Sequence, residues 1–429
     1  MVASTRRAAT PTRGDSLPAW PISLVLLGYP LWWVLGLGDM VWPLAAAVMV
    51  VLLRRTPLRV PRGFGIWMLF LVWVLCSFVQ IDTPGRAVGF FYRYALYLSA
   101  TVLFVYVFNA RRALPTDKVL ATLYGFWLIT VVGGYLGILF PAFELRTPLA
   151  MVLPGPILNN ELVHEMAVRR FTQWNPDAHN VIAPRPSAPY LYTNGWGNAY
   201  SLLTPFVLLH CARLHAKHSR WFVPAALAVP VSLVPAFLSL NRGMFVGLGV
   251  AGVYFAFRVM LRGDWRALLA IAGVGVVGLA ALQVIPVEER LENRLEVSST
   301  TDDRASLYAE TFQRTLQSPL LGYGAPRPSY TAGAPSAGTQ GQLWMVLFSH
   351  GFVGVALFVG WLLLLFVRTI RGPTTLALVC NTVILTTMVE IFYYGIMMTG
   401  LVIVMLAGAI GLGEAQDASA RSREQRSQR

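Results

Sequence analysis

The chain has 429 residues, is 56% hydrophobic and only 13% charged, and carries a formal charge of +14. That apolar content excludes a soluble globular protein of this size. The apolar residues fall in long unbroken runs, so the expectation is an all-α integral membrane protein whose spans satisfy their own backbone polar groups.

Arg6, Arg7 and Arg13 precede the first apolar run. The run is too long for a signal-peptide core and no small-residue cleavage site follows it cleanly, so it reads as the first span behind a tail at 1–18. The runs predict about twelve spans, near 19–37, 40–54, 64–81, 88–109, 119–142, 196–212, 221–240, 243–261, 267–285, 342–367, 374–396 and 398–413. The second and twelfth are short, and Thr399-Gly400 leaves room for a re-entrant pair. Cys76, Cys211 and Cys380 lie in or beside these runs, which leaves no disulfide framework and no CxxC metal knuckle.

Basic residues mark alternate junctions: Arg54, Arg55, Arg59 and Arg62; Arg111, Arg112 and Lys118; Arg213, Lys217 and Arg220; Arg258, Arg262 and Arg266; Arg368 and Arg371. The tail at 414–429 adds Arg421, Arg423, Arg426 and Arg429. The positive-inside rule makes that side, with both termini, cytoplasmic. The high charge is then a topology signal and implies no nucleic-acid partner.

Two long external loops are expected, about 143–195 and 286–341. Loops longer than roughly 15 residues are uncommon unless functional or disordered. Trp174, Tyr190, Tyr192, Leu307, Tyr308 and Phe312 argue against disorder. In the second loop, Thr301 or Asp302 caps a short amphipathic helix whose Ala305, Tyr308, Phe312 and Leu316 repeat at helical spacing, and Ser318-Pro319 ends it. A surface helix without a chemical role is the alternative.

Ionisable residues in or beside spans are costly and mark candidate sites. Arg93, Arg242, His350 and Glu390 all fall toward the expected external leaflet. External Arg169, Arg170, Arg185, Arg290, Arg294, Arg304 and Arg314 join them, and arginine's planar fork suits phosphate. Arg290 and Arg294 alternate with Glu288, Glu289, Glu292 and Glu296, which reads as a solvated ion-pair face. Arg304 has Asp302 and Asp303 as local partners to set against a ligand. Arg242 sits in apolar sequence with no adjacent carboxylate. His164, Glu165 and His179 show neither an HExxH pattern nor a second close ligand pair, so no metal site is expected. His210, His215 and His218 read as interfacial. Gly322-Tyr323-Gly324 has no preceding strand and no following GK helix, so no nucleotide site is implied.

Four stretches carry a resemblance: RPSAPYLYTNGWGNAYSLLTPFVLL, LSLNRGMFVGL, DDRASLYAETFQRTLQSPLLGYG and GTQGQLWMVLFSHGFVGVALFVGWLL, together spanning about 185–365. In their order and topology the chain resembles the O-antigen ligase and polymerase superfamily of polytopic bacterial membrane glycosyltransferases. No single motif is specific. The resemblance implies transfer of a glycan from an undecaprenyl-diphosphate carrier to an acceptor glycan or glycolipid, at the outer face of the inner membrane. It implies inverting chemistry without a metal or other cofactor, in contact with membrane lipids. It puts Arg242 and Arg304 on the diphosphate, with Arg185 assisting, and Arg93, read from its place in the fourth span, is expected to bind the diphosphate with them. Where ligases of the family place a His-Asn pair, this chain reads Thr339-Gln340-Gly341-Gln342. Gln340 and Gln342 are then candidates for positioning the acceptor, and His350 or Glu390 for catalysis; His350 as a packing residue is the alternative. A transporter or flippase for a lipid-linked sugar or small solute is the rival reading. It would call for repeated halves, and none is evident. A non-catalytic envelope scaffold is a third, and would not need Arg242.

Overall fold

A computed structural model describes residues 17–54, 56–111, 114–173, 184–263, 273, 275, 300–331, 334–397 and 399–427. The described chain is mostly helical. Its helices are α1 (Trp20–Leu27), α2 (Tyr29–Val34), α3 (Val41–Leu53), α4 (Gly65–Cys76), α5 (Pro84–Ala110), α6 (Thr116–Leu139), α7 (Pro148–Val152), α8 (Gly155–Leu158), α9 (Glu161–Ala167), α10 (Thr193–Ala216), α11 (Phe222–Leu238), α12 (Arg242–Met260), α13 (Thr300–Gln317), α14 (Gln342–Thr369), α15 (Thr375–Glu390) and α16 (Thr399–Ser427). Two small antiparallel ribbons lie in the first loop. One pairs β1 (Glu144–Arg146) with β2 (Val168–Arg170), the other β3 (Thr172–Gln173) with β4 (Arg185–Pro186).

Among the described residues, five helices are long and apolar enough to cross a membrane: α5, α6, α12, α14 and the Thr399–Ser419 part of α16. Shorter apolar helices cover Val41–Leu53, Gly65–Gln80, Phe222–Leu238 and Thr375–Glu390. The first expected span is instead two short helices, because Pro30 has no N–H to continue the ladder across Gly28. The eleventh stops at Glu390, six residues before its expected end. The ninth, about 267–285, lies outside the described residues, as do Trp174, His179, Arg290 and Arg294.

The basic junctions meet at one end of the bundle. Asn109 exchanges hydrogen bonds with the Arg59 backbone at 2.9 and 2.8 Å. Arg368 donates to the Arg62 carbonyl, and Arg258 and Arg262 donate to those of Ile370 and Gly372. Arg111 reaches Asp417 at 3.3 Å, and Thr374 donates to Glu414 at 2.7 Å. Helices α5, α10, α12 and α14 therefore end, and α6, α11 and α15 begin, on the same side.

At the opposite end α14 is broken. Gly351 has φ 68° and ψ −171°, and its flanking halves take different directions. The carbonyls released by the break are claimed from outside the helix. Tyr323 N–H donates to Phe348 O (2.9 Å), Gly324 N–H to Ser349 O (2.8 Å), and Trp73 Nε1–H to His350 O (3.0 Å). In return Phe352 N–H donates to Pro319 O at 2.8 Å. The Gly-Tyr-Gly turn is thus an insert that replaces missing helix bonds, which is what irregular backbone inside lipid requires.

Only glycine fits on both sides of this joint. A Cβ at Gly351 would lie 2.3 Å from Leu320 O, and one at Gly322 (φ 62°) would lie 2.5 Å from Phe348 O. Gly351→Ala adds this overlap to the roughly 1–2 kcal/mol that a left-handed conformation costs an L-residue. Gly360→Ala, in the same helix with only Ile66 at 3.9 Å, is its control. Thermal unfolding in detergent should show a lowered midpoint for Gly351→Ala and none for Gly360→Ala; equal midpoints would mean that the break carries no constraint.

Candidate functional site

The site is built where α10, α12, α14 and α15 meet, away from the basic junctions. Helix α10 packs against α6, α12, α15 and α16, with Trp196, Leu202, Leu203 and Phe206 fully buried. Its first free N–H, on Thr193, donates to Gln173 Oε1 at 3.2 Å, so the first loop caps it.

Glu390, the last residue of α15, is wholly buried. Its two oxygens accept from Asn198 Nδ2 and Ser201 Oγ, each at 2.5 Å. A Cβ at Gly247 of α12 would fall 1.9 Å from Glu390 Oε1, so glycine there makes room for the carboxylate. One turn on, the Tyr394 hydroxyl donates to Asn241 Oδ1, and Asn241 Nδ2 donates to Thr193 O at 2.9 Å. Asn241 precedes Arg242, the first residue of α12, and Leu240 before it holds φ +50°. A non-glycine residue there is strained, and such strain gathers at functional junctions.

The candidate arginines divide. Arg185 Nε donates to Ser239 O at 2.8 Å, in the turn that presents Arg242. Tyr394 lies within electrostatic reach of Arg185, Arg304 and Glu390. Arg242 is exposed and Arg304 half-buried, and neither forms an ion pair or hydrogen bond with any described residue. One turn after Arg304, Tyr308 stacks on Trp344 of α14 at 4.6 Å, which seats the α13 helix over the start of α14. Arg185 and Arg304 thus both come near Tyr394, whose hydroxyl bonds the Asn241 that precedes Arg242.

Gln342 is buried at the start of α14. Its Nε2 donates to Tyr97 OH (3.0 Å), its Oε1 accepts from Ile396 N (3.1 Å), and its own N–H donates to Tyr394 O (2.7 Å). Gln340 is half-buried, and its side chain bonds no described residue. His350 is buried nine residues into α14, beside the break. Its Nδ1 lies 2.7 Å from Ser77 Oγ, and its ring meets Phe70 edge-on. Arg93, on α5, lies near His350, Tyr92 and Tyr97 rather than near Tyr394.

Neither a protein-family model nor a curated protein matches this chain. What the site does must be read from its own residues.

Three of the other candidate arginines already have partners. Arg169 is buried against Asp39 at 2.8 Å, and Arg170 pairs with Glu144 at 2.8 Å. Arg314 is buried between Glu310 (2.8 Å) and Pro328 O (2.8 Å), with its guanidinium 4.5 Å from the Tyr330 ring centre. Glu165 accepts from the Tyr192 hydroxyl. The buried face of α13 also differs from the expected one. Leu307, Thr311, Arg314 and Thr315 face inward, whereas Phe312 and Leu316 are exposed. The inward face is polar because it has Tyr323, Pro328 and Gly338 to bond. Thr301 and Asp302 lie within α13.

Sequence reading missed Arg86, Asn241 and Tyr394. Arg86 donates to the carbonyls of Tyr323 (2.6 Å), Ala325 (2.8 Å) and Pro326 (3.2 Å), and pairs with Asp82. A four-residue spacing from Asp82 was its only local signal, and that spacing says nothing of the carbonyls.

Glu310 offers a test of how α13 is held. Burial pushes its carboxyl up, but bonds from Ser329 (2.5 Å), Arg314 and the Tyr330 amide outweigh burial and hold it below its ordinary 4.5. A carboxylate lowered on folding adds stability above its unfolded value, and that stability is lost as pH falls through the lowered folded value. Between pH 5 and about 3, wild type should lose more of its thermal midpoint than Glu310→Gln. Parallel curves would show that this tie is idle.

Proposed function

We propose that the chain is a membrane glycosyltransferase of the O-antigen ligase and polymerase type. It moves a glycan from an undecaprenyl-diphosphate carrier to an acceptor glycan or glycolipid at the external face of the bacterial inner membrane. The observation that carries this reading is the grouping of Arg185 and Arg304 near Tyr394, whose hydroxyl bonds the Asn241 that precedes Arg242, beside the Glu390–Asn198 network. Two of these cations have no described anionic partner, and a diphosphate would supply one.

The reaction asks little else of the protein. An acceptor hydroxyl oxygen attacks the anomeric carbon of the donor sugar, the bond from that carbon to the phosphate oxygen breaks, and undecaprenyl diphosphate leaves with the electron pair. Arginines fixed around the leaving group meet the charge as it grows. Inversion follows from attack opposite the leaving diphosphate. The hydroxyl proton passes to a base.

Of the two candidate bases, His350 is the better equipped. The Ser77 hydroxyl also lies 2.8 Å from Val74 O. With its proton on that carbonyl, Nδ1–H of His350 donates to Ser77 and Nε2 keeps a free lone pair. Both oxygens of Glu390 are engaged, so its role is to hold Asn198 and the start of α10. Gln342, bonded at both ends, positions neighbouring segments, which leaves Gln340 as the free amide for an acceptor.

Broken helices are also a feature of secondary transporters, so a flippase for the same lipid is the second reading. In liposomes loaded with polyprenyl-diphosphate glycan and acceptor, the transferase reading expects a new glycosidic bond. Arg242→Ala and Arg304→Ala should each lower turnover by about 10²–10³-fold with unchanged thermal midpoints. Normal transfer by both variants would remove these residues from the site. Lipid translocation without a new bond would establish the flippase.

A further inference from the structure

The exposed guanidinium of Arg242 bonds no described residue, but the residues on either side of it are both held. Asn241 Oδ1 accepts from the Tyr394 hydroxyl, and Gly243 O accepts from the Tyr393 hydroxyl at 3.1 Å. Two adjacent tyrosines thus grip the chain before and after one arginine. Asn241 is tied a second time, by Nδ2 to Thr193 O at 2.9 Å. The approach is close enough to exclude any side chain beside it. A Cβ at Gly243 would fall 2.6 Å from Tyr393 Cε2 and 2.8 Å from the Tyr394 hydroxyl oxygen. One at Gly197 of α10 would fall 2.2 Å from Asn241 Nδ2.

The tyrosines are anchored from their other side as well. Their segment, 391–394, follows α15 and meets the start of α14. Gln342 N–H donates to Tyr394 O at 2.7 Å, Leu343 N–H to Ile391 O at 2.9 Å, and Trp344 Nε1–H to Phe392 O at 3.1 Å. Trp344 in turn stacks on Tyr308 of α13, with ring centres 4.6 Å apart and planes 10° from parallel. Arg304 stands one turn before Tyr308 on that helix. An unbroken run of contacts therefore leads from the helix of Arg304, through Trp344 and 391–394, to both neighbours of Arg242. Such a tie matters for a long side chain that must aim, because a misplacement of about 1 Å in a binding clamp can cost on the order of 10²-fold in rate.

We propose that Tyr393 and Tyr394 are positioning residues, whose hydroxyls fix the junction on either side of Arg242 and hold it in register with Arg304. That the ligand so met is a diphosphate rests on the function proposed above. The tyrosines do not themselves give a bond to it, since both hydroxyl protons are already given to Gly243 O and Asn241 Oδ1. Their effect on binding passes through Arg242, and this separates positioning from packing.

The test uses the full chain in nanodiscs of neutral lipid, titrated calorimetrically with inorganic diphosphate. Tyr393 is half-buried, and Tyr393→Phe keeps its ring while removing the bond to Gly243 O. It should weaken binding about 3–10-fold, with little change in thermal midpoint. On an Arg242→Ala background, itself weaker, the same substitution should have no further effect. Tyr394→Phe should behave alike; it leaves the buried Asn241 Oδ1 without its donor, so Tyr393→Phe carries the test where Tyr394→Phe does not fold. Equal weakening by Tyr393→Phe in both backgrounds would mark the tyrosine as packing and overturn the proposal, and unchanged binding overturns it too. Wild-type binding by Arg242→Ala would remove Arg242 as a ligand, and the functional reading would fall together with the positioning role. In the transfer assay Tyr393→Phe should raise the KM for the donor and not that for the acceptor; the reverse overturns the proposal. Loss of binding that depends on Arg242, in a protein that transfers nothing, leaves the positioning role standing and removes the transferase reading.

Discussion

The arrangement of the site depends on backbone hydrogen bonds at the break in α14. In hydrocarbon an unbonded carbonyl has no water to turn to, so a helix breaks only where another segment supplies donors. Here the donors come from Tyr323, Gly324 and Trp73. The Gly-Tyr-Gly insert has carbonyls of its own, and Arg86 bonds those of Tyr323 and Ala325. The joint is thus satisfied on both faces. Its result is a half-helix, 342–350, that reaches from Tyr97 and Tyr394 at its start to Ser77 at its end. Every candidate group on α14 takes its position from that angle.

The arginines are informative only as a set. All are the same chemical group, and composition cannot rank them. In the folded chain Arg86, Arg169, Arg314 and Arg327 are spent on carbonyls and carboxylates. Arg242, Arg304 and Arg93 are not, among the described residues. A guanidinium has five donors and no acceptor, so one near a bundle interior is either part of the scaffold or waiting for an anion. This division separates guanidiniums that belong to the scaffold from those that do not.

Much of the helical layout was legible, because apolar runs of the right length and basic junctions are local signals. The junction that presents Arg242 could be read from SLNRG. What could not be read depends on distant partners. Glu390 meets Asn198 across 192 residues, Arg86 meets Tyr323 across 237, and Arg169 meets Asp39 across 130. Hydrophobic periodicity also misled at α13. Phe312 and Leu316 lie on a helical stripe, but that stripe is exposed, and the buried face carries Thr311, Arg314 and Thr315. In a chain whose surroundings are apolar, an apolar stripe need not point to the core. Gly351 looked like any glycine in an apolar run until the Pro319 and Leu320 carbonyls closed on it.

The second irregular segment bears on mechanism. Helix α14 starts with N–H groups that no helix turn can satisfy. The segment that follows α15 satisfies them, while its own N–H groups close the end of α15. Gln342 N–H donates to Tyr394 O, Leu343 N–H to Ile391 O at 2.9 Å, and Trp344 Nε1–H to Phe392 O at 3.1 Å. In transporters built from discontinuous helices, the free ends face the substrate or coupling ion, and they change partners as the protein rocks. Here the first N–H groups of α14 are consumed by the segment after α15. Rocking α14 against this segment would break these bonds together. Such a joint favours a fixed arrangement of α14 against the segment after α15.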